Sequence, residues 1–144
     1  MATPIMTRAL PSFRAIAHPW LCDIMGHLTT RHYVAMFDDA GYHLLHAVFG
    51  WSGGSASDRT GFADVRQEID YVAEVGSGDL LEITSALVRL GRKSFTSRLE
   101  MTNLTRSEVA SRLVTTSVCF DLTARRAIEI PNAYRARAEA YLAE

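Results

Sequence analysis

The chain has 144 residues, 48% of them hydrophobic and 22% charged, the make-up of one globular domain with a core of its own. A formal charge of −1 and a pI near 6.5 leave no dense basic surface, which argues against nucleic acid and against an anionic membrane as partners. No apolar run fits a secretion signal or a membrane span, so a cytoplasmic home is expected, and Cys22 and Cys119, outside any C-x-x-C pattern, read as reduced thiols.

Residues 12–18 read as an opening strand. Asp23-Ile24-Met25-Gly26-His27-Leu28 follows, an acidic residue and a glycine turn that open onto a helical pattern. From Thr30 to about residue 48, Tyr33, Met36, Phe37, Ala40, Leu44 and Val48 recur at the three-and-four spacing of a helix with one buried stripe. The opposite face collects His32, Asp39, His43 and His46, and Gly50 stops the helix in a Trp51-Ser52-Gly53-Gly54 loop. Asp39, His43 and His46 have a ligand-like spacing. No cysteine or second histidine pair completes a set, so a solvated polar face without metal is expected.

The period then changes to two. Val65, Ile69, Tyr71 and Ala73 alternate with Asp64, Arg66, Glu68 and Asp70, as in a strand with one covered face. After a Gly76-Ser77-Gly78-Asp79 turn, residues 80–90, 94–104 and 109–122 read as strands, separated by Gly91-Arg92-Lys93 and Thr105-Arg106-Ser107. Residues 127–130 suit a short closing strand, and from Asn132 the pattern Tyr134, Ala138, Tyr141, Leu142 predicts a brief amphipathic helix. This order predicts an α+β fold in which a curled antiparallel sheet covers a single long helix. The stretch 80–90 is apolar on both faces, so cover on the sheet's far side by another subunit is expected.

Chemistry concentrates around Asp23. A carboxylate beside the N–H groups of a helix start can activate water while those dipoles stabilise the oxyanion formed at a carbonyl. Asp23 equally suits a turn cap, and His27 a turn histidine bonded to backbone; the residues alone leave both readings open. Trp20, Tyr33, Phe37 and Trp51 either pack the core or line an acyl pocket, where, with Asp38 at the border of the apolar stripe, they suit a quaternary ammonium group. Arg89, Arg92 and Lys93, next to Ser94, form a local basic cluster fitted to phosphates or simply to solvent.

The series Asp23-x-x-Gly26-His27-Leu28, Tyr33, Tyr71, Gly78-Asp79 and Gly91-Arg92-Lys93-Ser94-Phe95 resembles, in order and spacing over roughly residues 12–131, the 4-hydroxybenzoyl-coenzyme A thioesterase-like family of hotdog folds. The resemblance implies a central helix wrapped by a five- to six-stranded sheet, and homodimers or homotetramers with active sites between subunits. It implies hydrolysis of a small- to medium-chain acyl-coenzyme A to free acid and coenzyme A, with no metal or organic cofactor. Asp23 would be nucleophile or general base, the backbone around Thr30 the oxyanion hole, and Gly26 and His27 the turn that shapes them. Tyr33, Phe37, Asp38 and Trp20 would meet the acyl group, while Arg89, Arg92, Lys93 and Ser94 would meet coenzyme A. Thr29 and Thr30 replace two asparagines common in relatives, Asp38 a common glutamate and Gly41 a common arginine, which leaves the acyl preference open. Two other functions compete: an enoyl-coenzyme A hydratase or dehydratase, of whose patterns only a faint His18-Pro19-Trp20 echo is present, and a non-catalytic acyl-coenzyme A-binding module, against which Asp23 and the Gly26-His27 turn count.

Overall fold

The long helix organises the molecule. In a computed structural model describing residues 9–142, α1 spans Thr30–Leu44 and buries Tyr33, Met36, Phe37, Ala40 and Leu44, the stripe that the periodicity predicts. Each large apolar side chain so buried contributes roughly 1.5–3 kcal/mol. A wider turn, Leu45–Phe49, continues the helix and carries Val48 into the core before Gly50, at φ +74°, ends it in the left-handed conformation that glycine adopts without strain.

Around α1 the strands are β1 (Leu10–Ile16), β2 (Thr60–Tyr71), β3 (Leu80–Leu90), β4 (Ser94–Asn103), β5 (Glu108–Asp121) and the short β6 (Arg126–Ala127), followed by the helix α2 (Asn132–Glu139). They form one antiparallel sheet in the order β1-β3-β4-β5-β2, with β6 paired to β5. A curled antiparallel sheet wrapped on one helix is the hotdog fold. The core falls into two clusters along α1: Tyr33, Met36 and Phe37 pack on Leu81, Ile83 and Met101 near its start, and Leu44, Val48 and Phe49 pack on Leu87, Phe95 and Cys119 near its end. β3 therefore runs in the same direction as α1.

The opening strand lies two residues earlier than expected, and the closing strand ends at Ala127, although Ile128 still donates to the Cys119 carbonyl at 3.0 Å. The larger correction concerns β2. It begins at Thr60, and its middle, residues 63–68, is exposed on both faces rather than covered on one. Two causes combine: β2 is one of the two edge strands of the sheet, the other being β1, and the register slips between Asp64 and Arg66, so Val65 bulges out and is 62% exposed.

Candidate active site

The Asp23 turn is built from its own backbone. Asp23 N–H donates to the His27 carbonyl (2.8 Å), and Gly26 N–H donates to the Asp23 carbonyl (3.0 Å). Gly26 turns the corner at φ +80°, where a side chain costs about 1–2 kcal/mol. Asp23 Oδ1 accepts the N–H groups of Met25 (2.9 Å) and His27 (3.2 Å). The capping geometry is thus present; among the described residues no hydrogen bond engages Oδ2, and Asp23 itself does not line the recess beside this turn, which His27 borders instead.

A second loop clamps this turn. Leu28 N–H donates to Val75 O (2.8 Å), Ser77 N–H to Gly26 O (3.2 Å), and His27 forms an isolated bridge with Gly76. Behind it, the buried Asp79 carboxylate accepts Gly76 N–H (2.8 Å) and Asn103 Nδ2 (2.8 Å), with Arg106 Nε at 3.2 Å. The sequence marks Asp79 as a turn residue and as part of the Gly78-Asp79 match to the family pattern, without indicating this clamp. Gly76 is a local partner three residues away, whereas Asn103 and Arg106 arrive from the end of β4 and the loop beyond, and no local spacing signals them.

His27, Thr30 and Tyr33 border an open recess of about 640 Å³, mouth included, with Tyr71, Val72 and Glu74 on its other wall. His27 Nε2 lies 3.4 Å from Glu74 Oε2. The Tyr33 ring meets Tyr71 edge-on at 5.0 Å, and burial, reinforced by Tyr71, pushes the Tyr33 hydroxyl above its ordinary value, so it is a protonated donor at neutral pH. At the helix start Thr29 makes no side-chain cap bond, and no acidic residue sits in the first turn. The positive end of the α1 dipole is thus left to whatever enters the recess.

Other predicted residues lie elsewhere. Trp20 is 75% exposed and stacks on His18 at 4.2 Å, off the recess wall. Phe37 and Asp38 border a second recess farther along α1, between the helix and β2, β4 and β5. Arg89, Arg92, Lys93 and Ser94 sit where β3 turns into β4, at the opposite end of β3 from the 76–79 loop. A strand of that length spans about 35 Å. Arg92 pairs with Glu129 at 2.6 Å, and Arg135 donates to the carbonyls of Gly91 (2.6 Å) and Arg92 (3.0 Å), tying the basic turn to the C-terminal segment. Within one protomer, then, the basic turn and Asp23 occupy opposite ends of the molecule.

Residues 17–138 match the model of the thioesterase-like superfamily. The chain belongs to that superfamily, and the class of enzyme so defined is a thioester hydrolase on a hotdog fold. None of the curated proteins matches. Among solved structures the fold is similar to that of SAV2348 from Staphylococcus aureus, determined in complex with CoA (16% identity, 90% of this chain and 81% of that one, TM-score 0.79). It is also similar to PA5185 of Pseudomonas aeruginosa (23% identity, 91% and 90%, TM-score 0.78) and to Slr0204, a 1,4-dihydroxy-2-naphthoyl-CoA thioesterase from Synechocystis (17% identity, 88% and 93%, TM-score 0.72).

Proposed function

We propose that the protein hydrolyses a small- to medium-chain acyl-coenzyme A thioester to the free acid and coenzyme A, at the start of α1. The observation that carries this reading is a helix start without a side-chain cap, on the wall of a recess whose bordering turn holds the Asp23 carboxylate by two backbone N–H groups. The thioester carbonyl oxygen would receive the first-turn N–H groups near Thr30, and His27 and Tyr33 would border the bound ester. Asp23 takes the proton of a water that attacks the carbonyl carbon; the tetrahedral intermediate then collapses, the C–S bond breaks, and the thiolate leaves with a proton. Direct attack by Asp23 would instead pass through an anhydride that water opens.

Two copies are needed for the full set of predicted contacts. β2 offers an unpaired edge exposed on both faces, which suits antiparallel pairing with a second β2. Such a two-fold reverses α1, so that the start of one helix lies beside the far end of the other. Asp23 of one protomer would then approach Arg89, Arg92, Lys93 and Ser94 of its partner, where the coenzyme phosphates would sit.

The test is a panel of acyl-coenzyme A esters with free-thiol detection, run on wild type and Asp23→Asn. Thiol release by the wild type and its loss in the variant are expected. Unchanged release by the variant would remove Asp23 from the chemistry. Binding without release by either protein would favour a non-catalytic acyl-coenzyme A module in which Asp23 only caps its turn.

A further inference from the structure

The second recess, beneath the middle of α1, holds about 500 Å³ of empty space, mouth included, and has features that the thioester end does not use. Gly41 lies on its wall, inside α1, where a Cβ would meet nothing within 4 Å. A glycine inside a helix costs roughly 0.5–1 kcal/mol relative to alanine. Neither close packing nor a positive φ requires one here, so what Gly41 supplies is room. Across the recess Thr115 is only 6% exposed, and among the described residues its Oγ1 is a buried atom with no hydrogen-bond partner. An orphaned hydroxyl of that kind costs about 1–3 kcal/mol unless something fills its need.

Charge at this recess is one-sided. Asp38 of α1 and Asp64 of β2 both line it, and none of its lining residues is a lysine, arginine or histidine. Asp64 accepts a hydrogen bond from the Ser117 hydroxyl at 2.6 Å, and neither carboxylate forms an ion pair among the described residues. Burial first, then the charges of Asp64 across the recess and of the adjacent Asp39, raise the Asp38 carboxyl above its ordinary value. The aromatic residues Phe37, Tyr42, Phe62 and Phe95 line the same space.

We propose that this recess receives the positively charged end, an ammonium or methylated ammonium, of the acyl group carried by the thioester, with Asp38 and Asp64 as counter-charges. The aromatic rings add cation–π attraction, and the unpartnered Thr115 hydroxyl adds its dipole to the negative lining. Both carboxylates are exposed at the mouth of the recess and only Thr115 is buried, so an uncharged alkyl end would gain nothing from either carboxylate and would leave the orphan hydroxyl unmet. The inference rests on the thioester-hydrolase reading. From Thr30 to Asp38 the helix rises about 12 Å, so a long acyl chain would reach the recess from Asp23 of the same protomer, and a short one from Asp23 of a copy paired at β2.

The deciding experiment compares kcat/KM for two pairs of coenzyme A esters, one short and one long, each pairing a trimethylammonio acyl group with its tert-butyl isostere. In the wild type the cationic member of one pair should be preferred by at least about tenfold. Asp64→Asn should bring that ratio toward one, and so should Gly41→Leu, which fills the recess, with thermal melting reporting that both variants fold. The chain length of the preferred pair identifies which protomer supplies Asp23. Equal rates within both pairs, or a preference that survives both substitutions, would overturn the proposal. If no ester releases thiol, it is the hydrolase reading that fails, and calorimetric titration with tetramethylammonium against neopentyl alcohol decides the recess: binding of the cation that Asp64→Asn abolishes upholds it, and absence of binding ends it.

Discussion

The two ends of α1 are supported in different ways. At its start the helix is packed by Tyr33, Met36 and Phe37 and is held in addition by backbone: the Asp23 turn, the Leu28–Val75 and Ser77–Gly26 hydrogen bonds and the Asp79 clamp lie around Thr30, whose neighbour Thr29 makes no side-chain cap bond. At its far end the helix is placed by side chains, with Phe49, Phe62 and Phe95 in mutual ring contact and Leu44, Val48 and Leu87 around them. Hydrogen-bonded backbone leaves polar groups aimed and ready. Packed rings supply rigidity and define the recess nearby. On the proposed reading the chemistry would belong to the start of the helix and the choice of acyl group to the recess farther along it, and experiments can separate the two.

The sharpest break is at Asp23. Asparagine keeps the oxygen that accepts Met25 and His27 N–H but cannot take a proton, so Asp23→Asn should lose at least about 100-fold in thiol release with no fall in melting temperature. Asp23→Ala should lose both activity and some stability. If asparagine lowers only stability, the residue is a cap and the chemical end lies elsewhere.

Next in size is Asp79→Ala, which strands the Gly76 N–H, the Asn103 amide and the partly solvated Arg106 guanidinium. A cost of roughly 2–3 kcal/mol is expected in denaturant unfolding, together with slower turnover as the His27–Gly76 contact loosens. Loss of stability with kcat intact would show that the clamp does not position the turn.

At the far end the Tyr134 hydroxyl donates to Asp58, which lowers the Asp58 carboxyl and pushes the Tyr134 hydroxyl up to about 12. For the depressed carboxyl, the stabilisation is present above its unfolded value near 3.8 and is lost as pH falls through the lower folded value. For the raised phenol, it is present below 10 and is lost as pH climbs toward about 12. Tyr134→Phe should flatten the melting-temperature profile in both windows and leave thiol release at neutral pH intact. An unchanged profile would mean the contact contributes nothing.

The smallest effect runs the other way. Gly41→Ala should stabilise by roughly 0.5–1 kcal/mol, because the added methyl meets no atom and the unfolded chain loses freedom. A lower melting temperature would show that the recess is tighter than its walls imply.

The sequence by itself determined α1, its buried stripe from Tyr33 to Leu44, and the succession of strands after it, because helical and strand periodicities are local properties of adjacent residues. It also singled out the turn from Asp23 to His27, since glycine and aspartate shape a turn within a few residues. Only the tertiary structure decided that β2 is an open edge with a bulge at Val65, that Asp79 meets Asn103 and Arg106, and that Thr115 and Asp64 share a recess with Gly41. Each of these depends on which strand lies beside which. That pairing is set by the summed packing of distant side chains, and a one-residue slip in register changes it without altering any local pattern.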